Sequence, residues 1–102
     1  MNWLTRNNPA PGGAFIVYYH RDENGDLLYV GQTTQFKKRQ KQHRYSAPWW
    51  KDIDIIDWVM VSSERQMMQL EMAEIITQRP RFNSIEKSER LHKEKRNYKF
   101  VV

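Results

Sequence analysis

Six side chains of this chain carry the chemistry that metal-assisted phosphodiester hydrolysis would need. They are the phenols of Tyr18 and Tyr29, the guanidinium of Arg39, the imidazole of His43, the carboxylate of Glu71 and the amide of Asn83. A phenol has a reference pKa near 10, so a tyrosine acts as a base only where cations or a metal lower that value. Arg39 and His43 are four residues apart and would share one face of a helix, with Phe36 and Gln40 alongside. Lys37, Lys41 and Arg44 fall on a neighbouring face, a basic stripe suited to phosphate and equally to water. A hard divalent cation such as Mg²⁺ prefers oxygen and can be held by one carboxylate, water and substrate phosphate. One carboxylate suffices for a one-metal site and is too few for a two-metal site.

The elements that must position these groups follow from the local pattern. Ala14 to His20 is rich in β-branched and aromatic residues and predicts a strand. Asn24-Gly25 predicts a turn, and Leu27 to Gln32 a return strand. With Tyr18 opposite Tyr29, the turn would be the four residues Asp22 to Gly25, and the two phenols would be cross-strand neighbours. Thr33-Thr34 offers an N-cap for a helix to about Tyr45, which Ala47-Pro48 breaks. Ile53 to Val61 predicts a third strand, apolar on both faces and so covered on both sides. Ser63-Glu64-Arg65-Gln66 fits a capping box opening a second helix to about Gln78, which Pro80 stops. On that helix Met68, Met72, Ile75 and Ile76 form an apolar arc. Glu71 lies at its edge and Glu74 points away from it. Position alone leaves Glu71 a rim glutamate paired with a lysine, and the tyrosines core aromatics.

The order of Ile16-Val17-Tyr18, Tyr29-Val30-Gly31, Phe36-Lys37-Lys38-Arg39 with His43, Leu70-Glu71 and Pro80-Arg81-Phe82-Asn83 resembles the GIY-YIG nuclease family. The resemblance runs from about residue 14 to 83. The first triplet departs from the family pattern, with Ile16 where glycine is usual and Val17 for isoleucine; the second differs only at Val30. The resemblance implies an α+β fold, a small three-stranded antiparallel sheet flanked by helices. It implies a DNA endonuclease using Mg²⁺ or Mn²⁺. In such an enzyme Tyr18 would position or deprotonate the attacking water and Tyr29 would hydrogen-bond within the site. Arg39 would stabilise transition-state charge, and His43 would orient the nucleophile or relay its proton. Glu71 would hold the metal, and Asn83 would brace the site or the phosphate. Gly31 would let backbone and DNA approach closely. Lys37, Lys38, Lys41 and Arg44 would line the DNA.

Composition bounds the rest. With 102 residues, 17 Lys and Arg against 12 Asp and Glu, the chain carries a formal charge of +5, which favours an anionic partner. A chain of this length is one domain by default and buries about two-thirds of its unfolded surface. There is no cysteine, which excludes disulfides and thiolate metal sites. No apolar run approaches a membrane span of roughly 18 residues, and Met1 to Pro11 lacks the apolar core of a secretory signal. The expectation is a cytoplasmic protein, compatible with a phage or mobile-element origin. Residues 1–13 predict an irregular arm that Trp3 and Leu4 could tack down. Residues 84–102 predict a basic extension with Lys87, Arg90, Lys93, Lys95, Arg96 and Lys99. No zinc finger or helix-turn-helix follows the motif, so specificity would come from a homodimer, DNA structure or a partner protein, or would be weak. Two other functions fit the same fold: a non-cleaving nucleic-acid-binding module, and an interaction or inhibitor protein anchored on Trp49-Trp50. His20, ending a strand beside a charged turn, carries no role in this reading.

Overall fold

A computed structural model describes residues 9–83 and, ahead of them, the backbone of Leu4–Thr5. The arm forms β1 (Leu4–Thr5). The hairpin is β2 (Phe15–Arg21) and β3 (Leu27–Thr33), followed by α1 (Phe36–Ser46), a 3₁₀ turn at Trp50–Asp52, β4 (Ile55–Val61) and α2 (Glu64–Gln78). The sheet order is β1-β4-β2-β3. β2 runs antiparallel to both β3 and β4, which makes the three-stranded antiparallel sheet expected. β1 adds a two-residue parallel edge on β4, where the sequence predicts an irregular arm. The basic extension at residues 84–102 lies outside the described residues.

Strand alternation divides the core in two. Ile16, Tyr18 and His20 point to the face covered by α1 and by the segment that carries Trp49, Trp50 and Ile53. Val17 and Tyr19 point to the opposite face, where Met67 and Ile75 of α2 pack on them and on Val30. Ile16, where the family pattern has glycine, is fully buried on the α1 side. The departure is therefore taken up by packing and removes no functional group.

The hairpin register differs from the expected one. Tyr18 pairs with Gly31, and Tyr29 pairs with His20. The turn is five residues long, because Asp22 Oδ1 accepts from the backbone N–H of both Asn24 and Asp26 at 2.9 Å. Gly25 takes a φ of 84° that favours glycine, and a bulge between His20 and Arg21 absorbs the extra residue. The tyrosines still share a face as diagonal neighbours, with ring centroids 6.2 Å apart.

Three further expectations change. Thr33 ends β3 and its hydroxyl accepts from Gln35 N–H, so α1 starts at Phe36 with no side-chain cap. Strand β4 is not covered throughout: Ile56 is buried, but Val59 and Met60 are 40% and 54% exposed, because α2 lies mainly over β2 and β3. On α2 the buried residues are Met67, Met68 and Ile75, while Ile76 is exposed. The apolar arc is thus rotated toward Met67. Ser63 caps the helix by accepting from Gln66 N–H, while the Gln66 side chain turns back to Ser62 rather than to Ser63.

Candidate active site

Helix α1 repeats its buried positions at Phe36, Gln40 and His43, which sets their side chains against the sheet. The Tyr18 hydroxyl lies 2.7 Å from His43 Nε2, and both residues are buried. A methyl group on Gly31 would overlap the Tyr18 ring at Cζ and at the phenol oxygen. The space that glycine leaves is therefore filled by the phenol, rather than kept open for DNA as the sequence had led us to expect. Half-buried Arg39 interacts electrostatically with both phenols and donates to Gln42 Oε1 at 3.1 Å. Four predicted residues, Tyr18, Tyr29, Arg39 and His43, thus converge on the α1 side of the sheet.

Burial governs their protonation. It pushes the Tyr18 phenol well above the usual range, helped by Tyr29 and opposed by Arg39. Tyr29 is raised by burial and then by Glu71. His43 is pulled down to about 3 by burial, then by His20 and Arg39. Arg39 is held charged: burial works against it, but the neighbouring phenols outweigh that. At neutral pH the site is a protonated phenol against a neutral imidazole, with a fixed guanidinium beside them.

Glu71 comes from the other side. It projects from α2 toward β3, where Gln32 Nε2 donates to its Oε1 at 2.5 Å. Its charge is felt at both Tyr18 and Tyr29. Among the described residues no three acidic or histidine side chains gather as a ready metal cage. A half-buried carboxylate, oriented by an amide and electrostatically coupled to two phenols, fits a single hard divalent cation whose other positions are water and phosphate. Glu74, expected to point away, instead accepts from the Tyr19 phenol at 2.7 Å. Rotation of the apolar arc brings it over the sheet.

Asn83 does not enter the cluster. Its Oδ1 accepts from Val30 N–H at 2.8 Å and its Nδ2 donates to Val30 O at 3.0 Å. It splints the free edge of β3 between Tyr29 and Gly31, the bracing option of the sequence reading. Lys37, Lys38, Lys41 and Arg44 are all exposed along α1. Trp49 and Trp50 are buried, so they are not the exposed anchor considered for an interaction protein. Trp49 stacks on Tyr29, with centroids 4.7 Å apart and planes at 23°. The sequence reading missed His20, Gln32 and Trp49. His20 was findable, since it follows Tyr18 by two in one strand; Trp49 lies in a loop with no period to expose it.

Residues 11–84 match the UvrC-like GIY-YIG domain, and the chain belongs to that family. It is 30% identical over 82 residues to UvrABC system protein C of Protochlamydia amoebophila, covering 72% of this chain and 13% of that protein. It is 34% identical over 91 residues to UvrABC system protein C of Frankia casuarinae, covering 74% of this chain and 12% of that protein. The chain thus corresponds to a small part of these relatives. In fold it is similar to the GIY-YIG N-terminal endonuclease domain of UvrC from Thermotoga maritima, solved with its catalytic magnesium. The TM-score is 0.63 at 20% identity, over 72% of this chain and 86% of that one.

Proposed function

We propose that this chain is a divalent-metal-dependent endonuclease that hydrolyses phosphodiester bonds of DNA. The observation that carries the reading is the buried Tyr18–His43 pair at 2.7 Å with Arg39 beside it. Catalytic nucleases belong to this family, and the UvrC domain of similar fold carries its cation.

The chain's own residues then divide the reaction. Tyr18 holds a proton at rest, so it cannot take one without giving one up. His43 is neutral and, with its own proton on Nδ1, offers Nε2 to the phenol. As water attacks phosphorus and the bond to the leaving oxygen breaks, the water proton passes to the Tyr18 oxygen, the phenol proton moves to His43 Nε2, and the leaving oxygen takes a proton from solvent. Arg39 holds the negative charge that gathers on the phosphate oxygens. Glu71 would hold a Mg²⁺ or Mn²⁺ ion, which when bound supplies electrostatic stabilisation of the phosphate and the leaving oxygen. Asn83 keeps β3 in place, and the exposed bases of α1 track the DNA backbone.

Supercoiled plasmid incubated with and without Mg²⁺ tests the reading. Wild type should nick only with the metal. Glu71→Ala should lose cleavage by about a hundredfold or more while binding DNA with near-wild-type affinity. Salt-dependent binding without metal-dependent nicking by the wild type would instead identify a non-cleaving DNA-binding module.

A further inference from the structure

His20 is fully buried on the α1 face, two residues along β2 from Tyr18, and the reaction above makes no use of it. Its Nδ1 accepts from Trp49 Nε1–H at 2.9 Å. An indole nitrogen only donates, so Nδ1 is the bare nitrogen and the ring proton sits on Nε2. Nε2–H then donates to Gln40 Oε1 at 2.7 Å. This leaves Gln40 Nε2, also buried, without an acceptor among the described residues. Reversing the amide would set two N–H groups against each other, so the network has one consistent state. Phenylalanine at 20 and 49 with leucine at 40 would keep the site apolar with no buried donor left over. Packing alone therefore gives no reason for this pair.

The network touches the chemistry directly. The indole that His20 holds lies flat on Tyr29. The His20 ring packs edge-on to His43, with centroids 5.1 Å apart and planes at 81°. Its centroid lies 5.3 Å from that of Tyr18 and 5.6 Å from that of Tyr29. We propose that His20 is a positioning residue. It ties Trp49 to Gln40 so that Tyr29 and His43 keep one orientation toward Tyr18. The effect rests on the nuclease reading above and would appear in turnover, not in DNA affinity.

The test compares wild type with His20→Phe and with the apolar triple variant His20→Phe/Gln40→Leu/Trp49→Phe, which removes every member's polar partner together. The triple variant should melt at or near the wild-type temperature. Its kcat for nicking should fall about ten- to a hundredfold at unchanged KM, the scale expected when reacting groups are misplaced. In a Trp49→Phe background, His20→Phe should cost little more, because both changes break the same bond. Wild-type turnover in a fully folded triple variant would overturn the proposal. Ring NMR of His43 and Tyr29 gives a second readout that needs no cleavage. The proposal expects both resonances to shift or broaden in the triple variant, and unmoved resonances would overturn it. A wild type that fails to nick while these signals respond would sink the nuclease reading and leave the positioning role standing.

Discussion

Tyr18 and Tyr19 are adjacent in one strand, both buried, both hydrogen-bonded through the phenol at 2.7 Å, and they face opposite ways. Tyr18 meets the imidazole of His43, among rings and a guanidinium. Tyr19 meets the carboxylate of Glu74, over the methionine and isoleucine packing of α2, with Arg21 Cζ 5.7 Å from its ring centroid. Both phenols are raised chiefly by burial, but Arg39 opposes the rise at Tyr18, whereas Glu74 adds to it at Tyr19. Only the first phenol faces a neutral acceptor, the His43 imidazole; the second donates to a carboxylate that raises it further. The same side chain in the same strand thus meets two different partners, strand parity decides which, and under the proposed mechanism only Tyr18 moves a proton.

That contrast is tested most severely by removing each hydroxyl. Tyr18→Phe and Arg39→Ala should each lower cleavage by about a hundredfold or more, the usual effect of losing one preorganised donor. Tyr19→Phe should keep cleavage within a few-fold. Rates at saturating DNA, with circular dichroism to confirm folding, decide the matter. A Tyr19→Phe protein as impaired as Tyr18→Phe would mean that the two faces do not divide the labour.

The faces should also part in acid. Two buried histidines lie on the α1 side: His20, pulled down to about 4 by burial, and His43, pulled down to about 3. Helix α2 carries none. With native values below the ordinary 6.5, the unfolded chain takes protons first as pH falls. Stability is therefore intact above about 6.5 and declines toward 4 and 3. The slope approaches about 1.4 kcal/mol per pH unit for each imidazole. Thermal melts between pH 7 and 5, above the carboxylate range, should show the decline. A flat profile there would mean that the imidazoles are solvated and the α1 face is open.

Much of this was legible in the sequence because the signals were periodic. β-branched and aromatic runs marked the hairpin, and the 3.6-residue repeat put Phe36, Arg39, Gln40 and His43 on one side of a helix. What was missed turned on single contacts. The register slipped because the Asp22 carboxylate closes a five-residue turn, which no strand pattern encodes. Gly31 was read as an opening for DNA because the Tyr18 ring that fills it comes from another strand. Glu74 was set aside because the four apolar residues chosen for the α2 arc included Ile76, which the fold leaves exposed. β1 has only two residues, too few to carry a period.

The Tyr19–Glu74 bond offers a smaller test. Glu74→Ala leaves a buried phenol without its acceptor and should cost about 1 kcal/mol, seen as a lower denaturant midpoint at unchanged m-value. Cleavage by the remaining folded protein should match wild type. An equal loss of activity in Glu74→Ala and Glu71→Ala would break the separation between the carboxylate assigned to the metal and the one that secures the core.

The smallest effect separates the helices by charge. From Phe36 to Ser46 α1 has no carboxylate, and Lys37, Lys38, Lys41 and Arg44 are exposed on it. Helix α2 carries Glu64, Glu71 and Glu74 against one basic residue, Arg65. Phosphate contacts release counterions, so each base that meets DNA steepens the fall of affinity with salt by about one unit of logarithmic slope. Lys41→Ala and Arg44→Ala should each flatten that slope by up to about one unit and weaken binding several-fold at low salt. The cleavage rate at saturating DNA should hold, because neither side chain joins the Tyr18–His43 cluster. Arg65→Ala should change neither quantity. If Arg65 proved as costly as Lys41, DNA would lie across both helices, and the assignment of binding to the α1 side would fall.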